Sequence, residues 1–254
     1  MAAKRKRDSA NDGSKEVEIR RLIPELCNQF YHLGWMSGTG GAMSIREGPN
    51  RILVTPSAVQ KERLKPEHIF VCDDEGNVIE SPDPSLGVKK SSCAKFFMVA
   101  HKNRGAGAVM HTHSKAAFMA SVVIPGNEIK LTHMQLIKCI KNDKTGKNYG
   151  FNEELVVPVI ENRLTEIELV EPLEESYEGY PETCCVLVRR HDYLRRAINC
   201  TSEQRKACAK AWACDRTPFP AWPECECFDY LFEMAVQMKL HGIDPSEKPA
   251  GAVV

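Results

Sequence analysis

No apolar run in this 254-residue chain approaches membrane-spanning length, and the N-terminus has no apolar core of a secretory signal. A protein that neither crosses nor enters a membrane is therefore expected, with a cytoplasmic location. Charge of one sign is not in excess either, since Lys+Arg and Asp+Glu are both 34. That balance argues against a general nucleic-acid binder, which needs a basic face. The eleven cysteines never take the C-x2-C spacing of a zinc ribbon or finger. Without a secretory leader their thiols are expected to be reduced rather than bridged. The run SGTGGA at residues 37–42 is neither a Walker loop nor a dinucleotide fingerprint, because no helix follows it. What is present is the ordinary composition of a globular chain, 43% hydrophobic and 27% charged.

The chain opens on a polar stretch with a basic cluster, Lys4-Arg5-Lys6-Arg7. Nothing there buries a face, so residues 1–17 are expected as a disordered tail, with a nuclear-import signal as the second reading. One domain is expected over residues 18–245, with residues 246–254 trailing from it. Leu22, Ile23, Leu26, Phe30 and Leu33 recur at helical spacing, which predicts a helix over residues 18–32 closed by Gly34. Residues 43–46 and 51–54 read as a hairpin, and so do residues 68–72 and 78–80. The first hairpin exits through Thr55-Pro56-Ser57, which places small hydroxyls at a strand end. Lys89-Lys90-Ser91-Ser92-Cys93 is expected to open a helix continuing through Phe96, Phe97 and Ala100. Free amides, a helix dipole, two hydroxyls and two lysines favour an anion there, and the alternative is a plain Ser-capped helix. The glycines of residues 38–41 admit close approach of an anion, and by themselves also make an ordinary turn.

The chemistry-bearing residues sit at the ends of two apolar strands. Ala106, Val109 and Met110 lead into His111-Thr112-His113, and strand alternation turns both imidazoles to one side. Ser114 is placed to cap a helix starting at Lys115. Two imidazoles make half of a metal site, yet two histidines at a strand end are as readily polar surface, so a third ligand decides. Residues 184–188 form a second apolar strand, which runs into Arg189-Arg190-His191. His133 competes for the third place but has no strand-end context. Three imidazoles with one open position are the catalytic form of a zinc site, able to polarise a carbonyl and stabilise an enediolate. Together with the anion-favouring segments, the pattern points to metal-assisted chemistry on a sugar phosphate. Further along, Pro158 predicts an edge position or a bulge for the strand at residues 155–160. Pro172 either starts or interrupts a helix within residues 161–180. Residues 192–223 read as an atypical insert, with a helix over residues 201–214 and no regular structure around Pro218, Pro220 and Pro223. A helix over residues 225–240, closed by Gly242, completes the chain.

These blocks resemble the class II aldolase/epimerase superfamily. The text that carries the resemblance is LIPELCNQFYHLGW, SGTGG, PSAVQKERL, the SSC at residues 91–93, RGAGAVMHTHSKAA, the Thr132-His133 pair, LVVPVIEN, VLVRRH and CECFDYLF. It covers most of the chain from Leu22 to His191, and again from Cys225 to about Pro245. The resemblance implies a three-layer α/β/α domain around a mixed, largely antiparallel sheet. It implies one zinc ion per subunit on His111, His113 and His191, phosphate contacts at Ser57, Ser91 and Ser92, and a substrate contact at Cys93. Sugar-phosphate aldolases of the superfamily have an acidic residue where Cys93 stands, so the cysteine turns the resemblance toward a dehydratase branch of methionine salvage. The implied reaction removes water from 5-methylthioribulose 1-phosphate to give 5-methylthio-2,3-dioxopentyl phosphate.

In that branch the catalytic acid/base is a glutamate just after the Thr-His pair, whereas Gln135 stands there in this chain. An amide hydrogen-bonds but takes up no proton at neutral pH. Relatives pass from the position of His191 through an aromatic-rich strand directly into the helix of CECFDYLF, so the 192–223 insert is expected to cost the sheet that strand. The resemblance also implies a cytoplasmic homotetramer and, for animal forms, an apoptosome-protein partner. A second reading follows from Gln135 and the insert: a catalytically impaired homologue that acts as a binding or adaptor protein in cell-death regulation.

Overall fold

The computed structural model describes residues 2–190, 194–198 and 221–251, with side chains for residues 15–190 and 224–251. Helix α1 (Ala2–His32) buries Leu22, Ile23, Leu26 and Phe30 of the expected stripe, whereas Leu33 lies one residue past the helix and is exposed. Gly34 closes it at φ 77°, and Trp35 N donates to Phe30 O at 2.9 Å, a left-handed helix cap. The helix begins at Ala2, so residues 2–17 are helical backbone where a tail without structure is expected. Extending a helix already nucleated by its packed portion adds one bond per residue, and the Ala, Lys and Arg of this segment propagate it well.

The strands are β1 (Ala42–Gly48), β2 (Arg51–Val54), β3 (Pro56–Ser57), β4 (Phe70–Cys72), β5 (Val78–Glu80), β6 (Lys89–Lys90), β7 (Ala108–Thr112), β8 (Glu128–Leu131), β9 (Leu155–Ile160), β10 (Cys185–Val188) and β11 (Leu194–Ile198). Nine of them form one sheet in the order β5-β4-β2-β1-β7-β11-β10-β9-β8, and β3 pairs with β6 apart from it. Among the described residues only β9 and β10 pair in parallel, so the sheet is mixed and largely antiparallel. Both expected hairpins are present, β1 with β2 and β4 with β5. The remaining α-helices among the described residues are α2 (Ala94–Asn103), α3 (Lys115–Val123), α4 (Val170–Gly179) and α5 (Ala221–Leu240).

Period-2 alternation sorts the strands between two helical layers. Met43, Ile45, Leu53, Val71, Ala108 and Met110 pack against α1, and Val157, Val159, Cys185 and Leu187 continue that face under α3 and α5. Ala42, Ile52, Val54, Cys72, Val109 and Val186 pack against α2 and α4 on the other side. The architecture is therefore three layers, helix over sheet over helix.

Several local expectations need correction. The strand expected to be missing after His191 is present: β11, from within the presumed insert, fills the slot between β7 and β10. Two interior strands left facing an empty slot would bury unpaired backbone amides and carbonyls, and the ladder is what satisfies them. The rest of the insert, including the helix expected at residues 201–214, lies outside the described residues. Pro158 sits on an interior strand, not at an edge, because β8 is the edge. Val159 N donates to Asn127 O at 2.8 Å, and the register with β10 runs through Val159 and Ile160, past the proline. The ladder to β10 is thus made beyond the proline, at Val159 and Ile160. Helix α5 takes in Pro223, and α4 takes in Pro172, each in its first turn, where the absent N–H would have had no helical partner. Lys89 and Lys90 lie on β6 instead of in the first turn of α2, which begins at Ala94 with Cys93 as its N-cap residue.

Candidate metal and anion site

Strand β7 delivers the histidine pair. His111 pairs through its backbone with Ala42 of β1 and Arg195 of β11, so it is held on both sides. Its side chain is buried, edge-on to Phe96 of α2 at 5.7 Å between ring centres. His113, one step past the strand, is half-buried, and its ring stacks on that of His111 at 5.1 Å and 26°. The alternation read from the sequence therefore holds, and both imidazoles share one side. Cys93 Sγ stands 3.2 Å from His111 Nδ1, a contact that sets the orientation of that buried ring.

The backbone around the pair is pinned from three directions. His113 N donates to Trp35 O at 2.6 Å. Ser114 caps α3 by accepting from Ala117 N at 3.1 Å, and its hydroxyl donates to the Asp229 carboxylate on α5. The glycine-rich run closes the third side. A β-carbon on Gly40 would lie 2.9 Å from His113 Cε1, and one on Gly41, at φ 72°, would lie 2.5 Å from Met36 Cγ. Only glycine permits this approach, so residues 38–41 are a close-packed wall of the histidine site rather than a plain turn.

The anion-favouring segments come together through the small β3–β6 ladder, where Ser57 pairs with Lys89 and Pro56 with Lys90. Ser91 is buried and accepts from Cys93 N at 3.2 Å, whereas Ser92 is exposed. Lys90 Nζ donates to Gly76 O at 2.6 Å, which commits it to the β4–β5 turn. Sequence reasoning missed Lys61, although it lies inside a quoted block. Lys61 is 1% exposed, and its ammonium donates to Thr39 O and Val59 O, each at 2.9 Å. Burial holds its pKa below the usual lysine range, and burial pushes the neighbouring Cys27 thiol up to about 12. Asp229 was also missed, since nothing in a helix pattern marks one carboxylate as the partner of a distant serine.

Two imidazoles beside a thiol suit a borderline-soft metal such as zinc. Among the described residues no three His, Cys, Asp or Glu side chains converge on one metal position, and His191 lies outside them.

The family model described as the class II aldolase and adducin N-terminal domain matches residues 21–194. This chain belongs to that family. It is 48% identical over 232 residues to methylthioribulose-1-phosphate dehydratase of Bos taurus, a match that covers 91% of this chain and 88% of that one. It is 47% identical over 240 residues to the protein of the same name in Homo sapiens, covering 94% and 91%. Among solved structures, an L-fuculose 1-phosphate aldolase superposes with a TM-score of 0.65 at 17% identity, over 92% of this chain and 91% of that one. YgbL of Klebsiella pneumoniae, titled a putative aldolase/epimerase/decarboxylase, follows at 0.63 and 14%, over 88% and 91%. These two establish the class II aldolase fold.

Within this class II aldolase fold, Gln135 is not brought to the histidine pair. It is exposed, at the start of a 3-10 turn (Gln135–Cys139) beyond the C-terminal end of β8. Strands β11, β10 and β9 separate β8 from β7, a lateral offset of about 19 Å. Strand β8 also runs opposite to β7, so its C-terminal end lies at the far end of the sheet from His111. His133 shares that location, at φ 54° with its ring edge-on to Phe151, and is no alternative ligand within the chain.

Proposed function

We propose that this protein is a hydro-lyase that dehydrates 5-methylthioribulose 1-phosphate to 5-methylthio-2,3-dioxopentyl phosphate in methionine salvage, with one zinc ion per subunit. The observation that carries the reading is the stacked His111–His113 pair with Cys93 against His111, in a chain 47–48% identical to proteins named for this activity. His111, His113 and His191 would hold the metal, which when bound supplies Lewis acidity to a carbonyl. In support, the chain leaves β10 at Val188 and re-enters the sheet at Leu194, opposite Thr112. Cys93 contacts the sugar next to His111. Ser57, Ser91, Ser92 and the amides of residues 38–41 take the phosphate, a role suited to hydroxyls and closely approaching backbone.

Gln135 cannot reach the pair in its own subunit, so any part it plays in proton transfer is toward a site on another copy, in keeping with a homotetramer. Cytoplasmic location belongs to the same reading, which calls for no nucleic acid or membrane partner. Gln135 also favours a second reading, in which the chain keeps fold and metal but acts as an adaptor with an apoptosome-protein partner. A paired assay of the protein and its Gln135→Glu variant on the sugar phosphate, with zinc quantified in both, tests the two. Turnover by the native chain supports the dehydratase. Zinc bound in both, with turnover only in the glutamate variant and a gain of about 10²–10⁴-fold, sinks it in favour of the adaptor. Absence of zinc from both proteins removes the metal site itself.

A further inference from the structure

We propose that Lys61 is the positioning residue of the phosphate subsite, tying the glycine-rich loop to the Ser57 loop beside His113 and setting a fixed positive charge beneath them. This rests on the anion site of the preceding reading and goes beyond it, because Lys61 is none of the residues assigned there.

Three observations carry the inference. First, a fully buried ammonium spends its hydrogen bonds on two main-chain carbonyls from separate loops, Thr39 O and Val59 O, both at 2.9 Å. Desolvating an ammonium is costly, and a hydrophobic side chain of similar volume would bridge turn and helix without that cost. What the ammonium adds is a directional link between the loops, together with its charge. Second, each loop is otherwise under constraint. Thr39 precedes Gly40, where a β-carbon would run into the His113 ring, and Val59 follows Ala58, held at φ 56°. A left-handed alanine is unfavourable unless its surroundings impose it. The bond to Val59 O is one such restraint, and it holds the backbone that presents Ser57. Third, Lys61 sits in a 3-10 turn (Lys61–Arg63) packed on α1 beside Cys27, so it is anchored in the core rather than swinging in solvent. A cation so placed acts on a phosphate in a low-dielectric setting, where its field is weakly screened.

The test uses the full chain loaded with zinc and two substitutions, Lys61→Met and Lys61→Arg. The probe is inorganic phosphate, with its affinity measured calorimetrically, followed by kinetics on the methylthioribulose phosphate. For Lys61→Met the expected result is a phosphate affinity at least about tenfold weaker and a raised KM, with kcat less affected. Zinc content and melting temperature should stay near those of the native chain. Lys61→Arg, which keeps the charge, should recover part of the phosphate affinity. Native-like phosphate affinity in a folded Lys61→Met protein overturns the proposal while leaving the anion site intact. Failure of the native protein to bind phosphate overturns the anion site, and the proposal with it. Unfolding of both variants also overturns the proposal, because Lys61 is then a core residue and nothing more.

Discussion

A single methyl group at Gly40 tests whether the glycine-rich wall and the histidine pair are one unit. A β-carbon built there stands 2.9 Å from His113 Cε1, 3.0 Å from Nε2 and 3.2 Å from Nδ1. Carbon contacts are ordinarily about 3.5–4.0 Å, so the ring has to retreat by about half an ångström or more. It has little room to do so, because His113 N is bonded to Trp35 O and the ring stacks on His111. The displacement therefore passes into the pair. The backbone at Gly40 is not in the left-handed region, so Gly40→Ala carries no conformational strain. Restriction of the unfolded chain favours folding by about 0.4–1 kcal/mol, but overpacking against a ring with little room costs about 1–3 kcal/mol. Metal affinity and stability should therefore both fall. Disturbing the support of a metal ligand typically weakens affinity by about 10–100-fold. Zinc titration of the metal-free protein against a chromophoric chelator reads the first quantity, and a thermal melt without metal reads the second. An unchanged zinc affinity in folded Gly40→Ala refutes the reasoning, since the ring would then have space that the structure denies it. A lowered melting temperature with native-like zinc affinity would instead assign Gly40 to general packing.

Other outcomes follow from the same geometry. Ser114→Ala removes both the cap of α3 and the hydroxyl that donates to Asp229, and should lower stability by about 1–3 kcal/mol in urea denaturation. His101 is buried between Ser44 Oγ and Ala106 O, and burial pushes its pKa down to about 4. Unfolding frees it to protonate near pH 6.5, so its contribution is present above about pH 6.5 and is lost as pH falls toward 4. Between pH 7.5 and 4.5 the native chain should lose about 2–3 kcal/mol more than His101→Gln does, and parallel pH profiles of the two would contradict that account.

The parts of the fold legible in the sequence are those governed by local rules. The Leu22–Phe30 stripe, the Ser114 cap, the Gly34 and Gly242 stops and both hairpins follow from periodicity and turn chemistry, and each is where those rules place it. The errors arose where a neighbour overrode local preference. Prolines 158, 172 and 223 were judged by their own strand or helix, yet their tolerance depends on whether a partner is in register or a first-turn amide is needed. The basic N-terminal segment was judged alone, and it continues a helix that is packed further on. The slot filled by β11 is likewise a property of β7 and β10, invisible in the Cys- and Arg-rich text around residues 194–198.

For the site, sequence alone determined the chemistry available: two imidazoles on one side of a strand, a cysteine and serines before α2, and an amide where an acid is expected. Side-chain type and period-2 alternation are local quantities, and they suffice for that. Tertiary structure decided which of these groups meet. It set Cys93 against His111, closed Gly40 on His113, and buried Lys61 between two loops. It also left Gln135 four strands away at the opposite end of the sheet. Strand order and direction are fixed by long-range pairing, so distances across a nine-stranded sheet have no counterpart in spacing along the chain.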